Sequence, residues 1–533
     1  MPIPGGPRPA SVVPRPLEAV LAHLGLEAPV PADRGPEVSG VTLSSRTVRP
    51  GDLYAALPGA RTHGAAFAPQ AADAGAVAVL TDPAGAARAG ATGLPVVVVP
   101  DPRAVLGGLA AWVYGDPGER LLTLGVTGTN GKTTTTCLLD AALRAAGRTT
   151  GLVGTVELRI ADARIPSTGT TPEAPDLHAL LAAMVERGVT VCSMEVSSHA
   201  LALHRVDGLV VDVAAFTNLS QDHLDFHGTM EDYFAAKASL FTPQRSRRGV
   251  VCVDDPWGRR LAAQAGVPVV TVATVPGAGA DWQVVAEDVD AGLPVARVSG
   301  PGGRELHLRS PLPGRFNLAN ALVALAVLVE AGLDAEQAVG ALAVAGPVPG
   351  RMERVGTPGA PPGAPLAVVD FAHSPDAVDQ ALAALAGAAP VPGRPVVAVL
   401  GAGGDRDREK RPLMGAAAAR GAGVVVVTDD NPRSEDPAAI RAAVLDGAVA
   451  AARDSGALVL EVPERREAIA EGVRRAWGGG VVLVAGKGHE QGQEVDGVVS
   501  PFDDRTALAE ALAQTSARTV GETAGSPQQE GVR

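Results

Sequence analysis

Residues 121–136 read LLTLGVTGTNGKTTTT and run on into CLLDAAL at 137–143. An apolar run, a glycine-rich turn and an amphipathic segment, in that order, predict strand, loop and helix. Glycines let backbone N–H groups wrap a phosphate at a helix N-terminus, a lysine there reaches the β/γ oxygens, and the neighbouring hydroxyl can hold Mg²⁺. The residues so placed are Gly128, Thr129, Asn130, Gly131, Lys132, Thr133 and Thr134. Val126 stands where the strict phosphate-loop pattern has its first glycine, so the reading rests on context and on Lys132. A purely structural glycine turn is the alternative, and it leaves Lys132 without a task.

Beyond this unit, the apolar runs 189–194, 209–216 and 249–253 alternate with helical segments, the pattern of buried strands in a mostly parallel sheet. Ahead of it, short runs at 77–80 and 95–99 between alanine-rich stretches predict a small α/β domain, with YGDPG at 114–118 as its exit linker. After it, a turn-rich passage at 346–354 and a Pro/Gly-rich one at 357–365 predict a boundary near residue 347. A long hairpin loop is the other reading of the second passage. Strands at 366–371, 395–400, 423–428 and 481–485 each end in a polar loop, and ligands of open parallel sheets bind beyond such carboxyl ends. The expected organisation is three α/β domains, 1–118, 119–346 and 347–515, with a disordered tail over 516–533.

The chain has 533 residues and 46 % apolar residues, enough for about three domains and their cores. Its net charge of −13 disfavours binding nucleic acid through bulk positive charge. Cys137, Cys192 and Cys252 are too few and too scattered for a disulfide framework or a zinc ribbon, which fits a reducing cytosol. The longest helix-like apolar stretch, 321–329, is far shorter than the ~20 residues that span a bilayer, so no membrane span is expected. Of 45 basic residues only four are lysines: Lys132, Lys237, Lys410 and Lys487. Where arginine has replaced lysine almost everywhere, each surviving ammonium is a site candidate.

Two further segments carry metal-capable side chains. SMEVSSH at 193–199 follows a strand, so Glu195 emerges near the phosphate loop, where a carboxylate can complete a Mg²⁺ shell. TNLSQDHLDFHG at 217–228 follows another strand and contains His223. Just beyond, YFAAKASLF at 233–241 puts Lys237 on an otherwise apolar helix, where a lysine must be paired or modified, or else snorkel to solvent.

Taken together, GTNGKTT, SMEVSSHAL, TNLSQDHLDFHG with YFAAKASLF, and FAHSPD (371–376) with GGDRDREKRPLM (403–414) resemble the Mur ligase family of ATP-dependent amide-forming enzymes. The resemblance covers nearly the whole chain. It implies an N-terminal domain for a uridine nucleotide sugar, a central P-loop ATPase domain with a parallel sheet, and a C-terminal Rossmann-like domain for the incoming amino acid. It also implies ATP and Mg²⁺ as cofactors, with Lys132, Lys237 and His223 as catalytic residues and Thr133, Glu195, His223 and an N-carbamylated Lys237 around the metal. Arginine cannot take up carbon dioxide as lysine can, which accounts for the retention of Lys237.

By the same resemblance, Leu43 and Ser45 of LSSRTVRPGDLY, Thr62, His63, Gly64, Thr170, Thr171, Ser197 and Arg205 would bind the sugar-peptide UDP-N-acetylmuramoyl-L-alanyl-D-glutamate. Taken alone, Thr170 and Thr171 are equally readable as a helix cap. Leu203 and Val253 depart from residues found in some family members. Asp430, Asn431, Pro432 and Arg433 are similar to the signature of members that use meso-diaminopimelate, and Arg411, Gly486 and Glu490 would complete that pocket. The physical reason is the second carboxylate of meso-diaminopimelate, which lysine lacks and an arginine fork can hold. The alternative for Arg433 is a solvated turn arginine beside Glu435 and Asp436.

The expected activity is ATP-dependent ligation of meso-diaminopimelate through an acyl phosphate, by a cytoplasmic monomer. Ligases adding lysine, alanyl-alanine or folate-linked glutamate are the enzyme alternatives; folate enzymes usually read GTNGKGS. A nucleotide-binding regulator is the non-catalytic one.

Overall fold

The computed structural model describes residues 7–27, 35–59, 61–167, 169–290, 292–356, 361 and 363–524. Three sheets carry the architecture. The first has four parallel strands in chain order, Gly40–Thr42, Asp52–Ala56, Ala78–Thr81 and Val96–Val98. Leu53, Leu80 and Val97 build its core against the helix Pro102–Val113, which buries Leu106 and Leu109.

The second sheet has eleven strands, with Leu122–Thr127 inside it between Val191–Glu195 and Val211–Phe216. From Thr150–Val153 to Trp282–Asp290 the neighbours are parallel. Antiparallel strands extend both edges: Glu157–Ile160 and Ala163–Pro166 on one side, Leu293–Gly300 and Arg304–Arg309 on the other. In Arg304–Arg309, Leu306 and Leu308 are buried while Glu305 and His307 are exposed, the period-two pattern of a sheet wet on one face. Helices cover both faces of the parallel part. The apolar stretch 321–329 lies within the helix Arg315–Glu330, which is buried nearly all round against Lys132–Ala145. Such a helix is a core element, and no helix among the described residues is long and apolar enough to cross a membrane.

In the third sheet Leu366–Asp370, Val481–Ala485, Val396–Leu400, Val424–Val427 and Leu458–Glu461 lie parallel in that spatial order. Glu353–Val355 pairs antiparallel with Leu366–Asp370, so the segment joining them is a hairpin connection, although 357–360 and 362 fall outside the described residues. The expectation of a disordered tail from Ser516 needs correction. The helix Asp504–Ala524 runs through it, and its first turns bury Leu508 and Ala511 against the sheet. Packing of those apolar residues outweighs the polar composition that follows. Residues 525–533 of the expected tail lie outside the described residues. All three cysteines are free.

Candidate active site

The strand Leu122–Thr127 delivers the chain into the loop 128–131, and the helix Lys132–Ala145 starts at once. Gly131 has φ 84°, and a Cβ there would meet Asn320 Oδ1 at 2.2 Å, so a side chain is excluded both by the backbone and by the neighbouring helix. Lys132 Nζ donates to Gly128 O at 3.0 Å and to Thr129 O at 2.9 Å. Lys237, 1 % exposed, donates to the same Gly128 O at 2.7 Å and lies 4.6 Å from the centre of the Tyr233 ring. Two ammonium groups thus converge on one carbonyl. Burial, and then the charge of Lys132, hold Lys237 well below the usual lysine range, which favours the neutral amine. Snorkelling is thereby corrected: this side chain points inward and has no path to solvent.

Glu195 ends the strand Val191–Glu195 and is buried. Thr133 Oγ1 donates to its Oε2 at 3.0 Å, and Thr155 donates to it through both N–H (2.7 Å) and hydroxyl (3.0 Å). His223 adopts φ 54°, and its N–H donates to the Asp222 carboxylate at 3.0 Å. Burial pushes its imidazole well down, so the ring is neutral and has a lone pair to offer a cation. Among the described residues, no group of three or more His, Cys, Asp and Glu is arranged to hold a metal. The donor set suits Mg²⁺ only if phosphate oxygens and water complete the shell, as is usual for this ion.

A cavity of about 370 Å³ lies between the middle and C-terminal sheets. On one wall are Thr129, Asn130, Gly131, Lys132, Thr133, Thr134, Thr170, Glu195 and His223; on the other are Asp430, Asn431, Arg433, Gly486 and Glu490. Arg433 has φ 53°, donates to Gly404 O at 2.6 Å and reaches Glu494 at 3.6 Å. Its partners are therefore not Glu435 and Asp436. Asn431 Nδ2 donates to Glu490 Oε2 at 2.8 Å. Burial raises the Glu490 carboxyl, and Asp430 adds to this, whereas Lys487 opposes it.

Arg411 and Pro432 are buried but do not line this cavity. Glu435 takes the Arg411 guanidinium through two hydrogen bonds of 2.8 and 3.1 Å. Thr171 does not cap a helix. Its hydroxyl donates to Glu195 O at 2.9 Å and accepts from the Ser197 N–H at 3.2 Å, while Arg205 pairs with Glu173 at 2.8 Å. In the N-terminal domain His63 accepts from the Ala65 N–H and donates to Asp82 at 2.9 Å, Ser45 donates to Gln70 at 2.9 Å, and Tyr54 donates to Gly64 O. Leu43 is half-buried and Thr62 exposed. Among the described residues, no hydrogen bond joins this N-terminal group to Thr170, Thr171, Ser197 or Arg205.

Arg351, Asn320 and Asp376 carry no role in the sequence reading. Arg351 donates to Thr133 Oγ1 at 3.0 Å and stacks 4.3 Å over Phe371. Asn320 sits against Gly131. Asp376 accepts from Asn130 Nδ2 at 3.2 Å and from Ser220 Oγ at 3.3 Å, joining the C-terminal domain to the phosphate loop. Lys410 lies 3.8 Å from Asp222, and His373 donates to Phe371 O at 2.7 Å. The signal for Asn320 was available, since it is a buried amide on an apolar helix, as Lys237 is a buried amine on one.

Three family models match in chain order: "Mur ligase family, catalytic domain" over 37–114, "Mur ligase middle domain" over 126–328, and "Mur ligase, glutamate ligase domain" over 350–488. The chain is 56 % identical over 518 residues to the UDP-N-acetylmuramoyl-L-alanyl-D-glutamate–2,6-diaminopimelate ligase of Streptomyces avermitilis, covering 97 % of this chain and 100 % of the relative. It is 55 % identical to the ligase of the same name from Streptomyces coelicolor, with the same coverage. A solved structure of a ligase bearing that name superposes with a TM-score of 0.64 at 31 % identity, covering 94 % of this chain and 99 % of the other. The glycine-rich loop facing Asn431, Arg433 and Glu490, three family matches in order and near full-length identity above one half agree: the chain belongs to the Mur ligase family.

Proposed function

We propose that the protein ligates meso-diaminopimelate to UDP-N-acetylmuramoyl-L-alanyl-D-glutamate with hydrolysis of ATP to ADP and phosphate, in peptidoglycan precursor synthesis. The observation that carries this reading is the single cavity in which Lys132 and Thr133 face Arg433, Asn431 and Glu490. Full-length relatives named for the same reaction support it. The domains run 1–118, 119–346 and 347–515, and the enzyme works in the cytoplasm, where ATP and nucleotide-linked precursors are found; both cavity walls come from one chain, so a monomer holds the whole site.

The N–H groups of Gly131 and of the first turn of the helix Lys132–Ala145 bind the ATP phosphates, while those of Thr129 and Asn130 already donate to Asn218. Lys132 turns from the loop carbonyls to the phosphate oxygens. Thr133 and Glu195 would hold one Mg²⁺, and His223 with a carbamate on Lys237 a second; bound there, the cations would offset the charge of phosphates and carboxylate. Lys237 fits the modification, as a buried amine that burial and Lys132 hold well below the usual lysine range and whose carbamate would be flanked by Lys132. The D-glutamyl carboxylate oxygen bonds to the γ-phosphorus as the bond to ADP breaks, giving an acyl phosphate. The amine of the incoming amino acid then attacks the acyl carbon, loses a proton, and phosphate leaves.

Arg433 offers its fork to the distal carboxylate, and Glu490 and Asp430 their charge to the ammonium. Closure around the cavity keeps water from the acyl phosphate. The test incubates the protein with ATP, Mg²⁺ and the UDP-dipeptide, following phosphate release and product mass with meso-diaminopimelate, L-lysine or no amine. A tripeptide product with diaminopimelate alone is expected. Preference for lysine overturns the assigned specificity, and no product with either overturns the reaction.

A further inference from the structure

Lys487 is one of the four lysines in the chain, is 0 % exposed, and has no part in the mechanism above. It follows the strand Val481–Ala485 in a tight turn. Gly486, before it, has φ 116°, and a Cβ there would come within 2.4 Å of Asp430 Oδ2. The turn sends the Lys487 side chain into the protein beneath the acceptor rim. Its Nζ donates to Asn431 Oδ1 at 2.7 Å and lies 3.5 Å from Glu490 Oε2 and 3.8 Å from Asp430 Oδ1. Of the other cations nearby, Arg465 is held by Asp504 through two hydrogen bonds of 2.7 Å, Arg351 donates to Thr133 Oγ1, and Arg433 turns to Gly404 O and Glu494. Lys487 is thus the cation placed between the two carboxylates of the rim.

We infer that Lys487 is a positioning residue for the acceptor amino acid: it holds Asp430, Asn431 and Glu490 in one arrangement that faces the substrate ammonium. The inference rests on the acceptor-site reading given above. Two carboxylates on one rim repel each other, and an ammonium between them offsets that repulsion and fixes where each points. With Nζ in place, the Asn431 amide is also oriented: its oxygen accepts from Lys487 and from the Glu494 N–H at 3.0 Å, which turns its NH₂ toward Glu490. Without the ammonium, the amide loses the partner that fixes its direction.

Lys487→Met, similar in length but uncharged, tests this in the full-length enzyme. The KM for meso-diaminopimelate should rise about tenfold or more, the loss expected of a charged hydrogen bond, while the KM values for ATP and the UDP-dipeptide stay within about twofold. Equal rises in all three constants, or a fall in kcat alone, overturn the inference, because a merely structural defect is not selective for one substrate. Lys487→Gln, which fills the space with a neutral donor, should show the same selective rise. If neither variant gives a folded protein by circular dichroism and size exclusion, the lysine is structural and the inference fails. A wild-type enzyme that makes no product with diaminopimelate refutes the acceptor reading itself, an outcome distinct from an unselective Lys487→Met.

Discussion

Lys237 and Arg433 are both basic side chains near the cavity, but their surroundings ask opposite things of them. Lys237 has one carbonyl partner, a second ammonium beside it and no solvent, which favours a neutral amine able to bind carbon dioxide. Lys237→Ala should abolish turnover, and short carboxylic acids such as formate or acetate should restore part of it by standing in for the carbamate; full activity without rescue would sink the carbamate role. Arg433 stays charged and is pre-aimed by Gly404 O and Glu494. Arg433→Ala should raise the KM for diaminopimelate by about tenfold to a hundredfold and leave that for ATP nearly unchanged. Equal small shifts in both constants would remove it from the acceptor site. The scarcity of lysine already marked these positions: Lys132 and Lys237 meet at Gly128 O, Lys410 faces Asp222 and Lys487 lies under the rim. Which carbonyl or carboxylate each ammonium meets is not legible, because that depends on contacts between segments as far apart in sequence as Asp222 and Lys410.

Among the elements, the sequence signal was strongest where local pattern and fold coincide. The runs 366–371 and 481–485 correspond to the strands Leu366–Asp370 and Val481–Ala485, since apolar β-branched runs ending in glycine or polar loops have one good use in a parallel sheet. The antiparallel edge strands of the middle sheet were not foreseen, although Arg304–Arg309 alternates cleanly. The tail was misread because composition reports average solvation, whereas a few apolar residues such as Leu508 decide whether a helix docks. Arg465 and Asp504 likewise join the starts of two helices in a fully buried pair that no spacing reveals. Asp504→Ala would leave Arg465 buried without its counter-charge, a loss of about 3–5 kcal/mol. Urea unfolding followed through a probe in the C-terminal domain should show the transition at clearly lower denaturant, and an unshifted midpoint would contradict the role given to this pair.

At the scale of the molecule, the proposed two-step chemistry needs the phosphate loop and the acceptor rim to face one closed cavity for as long as the acyl phosphate exists. The contacts that close this arrangement include polar ones beside the packing of Phe316 on the C-terminal core. Asp376 receives Asn130 Nδ2 and Ser220 Oγ, and Lys410 approaches Asp222 beside His223. Polar contacts of this kind form and break at small net cost, which suits a cleft that must open to admit three substrates. They also protect the intermediate, because water admitted by a looser cleft would hydrolyse the acyl phosphate before the amine arrives. Asp376→Ala should therefore uncouple the enzyme rather than merely slow it: phosphate release should exceed tripeptide formation, and the excess should shrink as the amino acid concentration rises. X-ray scattering with a non-hydrolysable ATP analogue should give a larger radius of gyration for the variant than for the wild type. A variant that still yields one phosphate per tripeptide, with unchanged scattering, would mean that closure is enforced elsewhere and that Asp376 only decorates the interface.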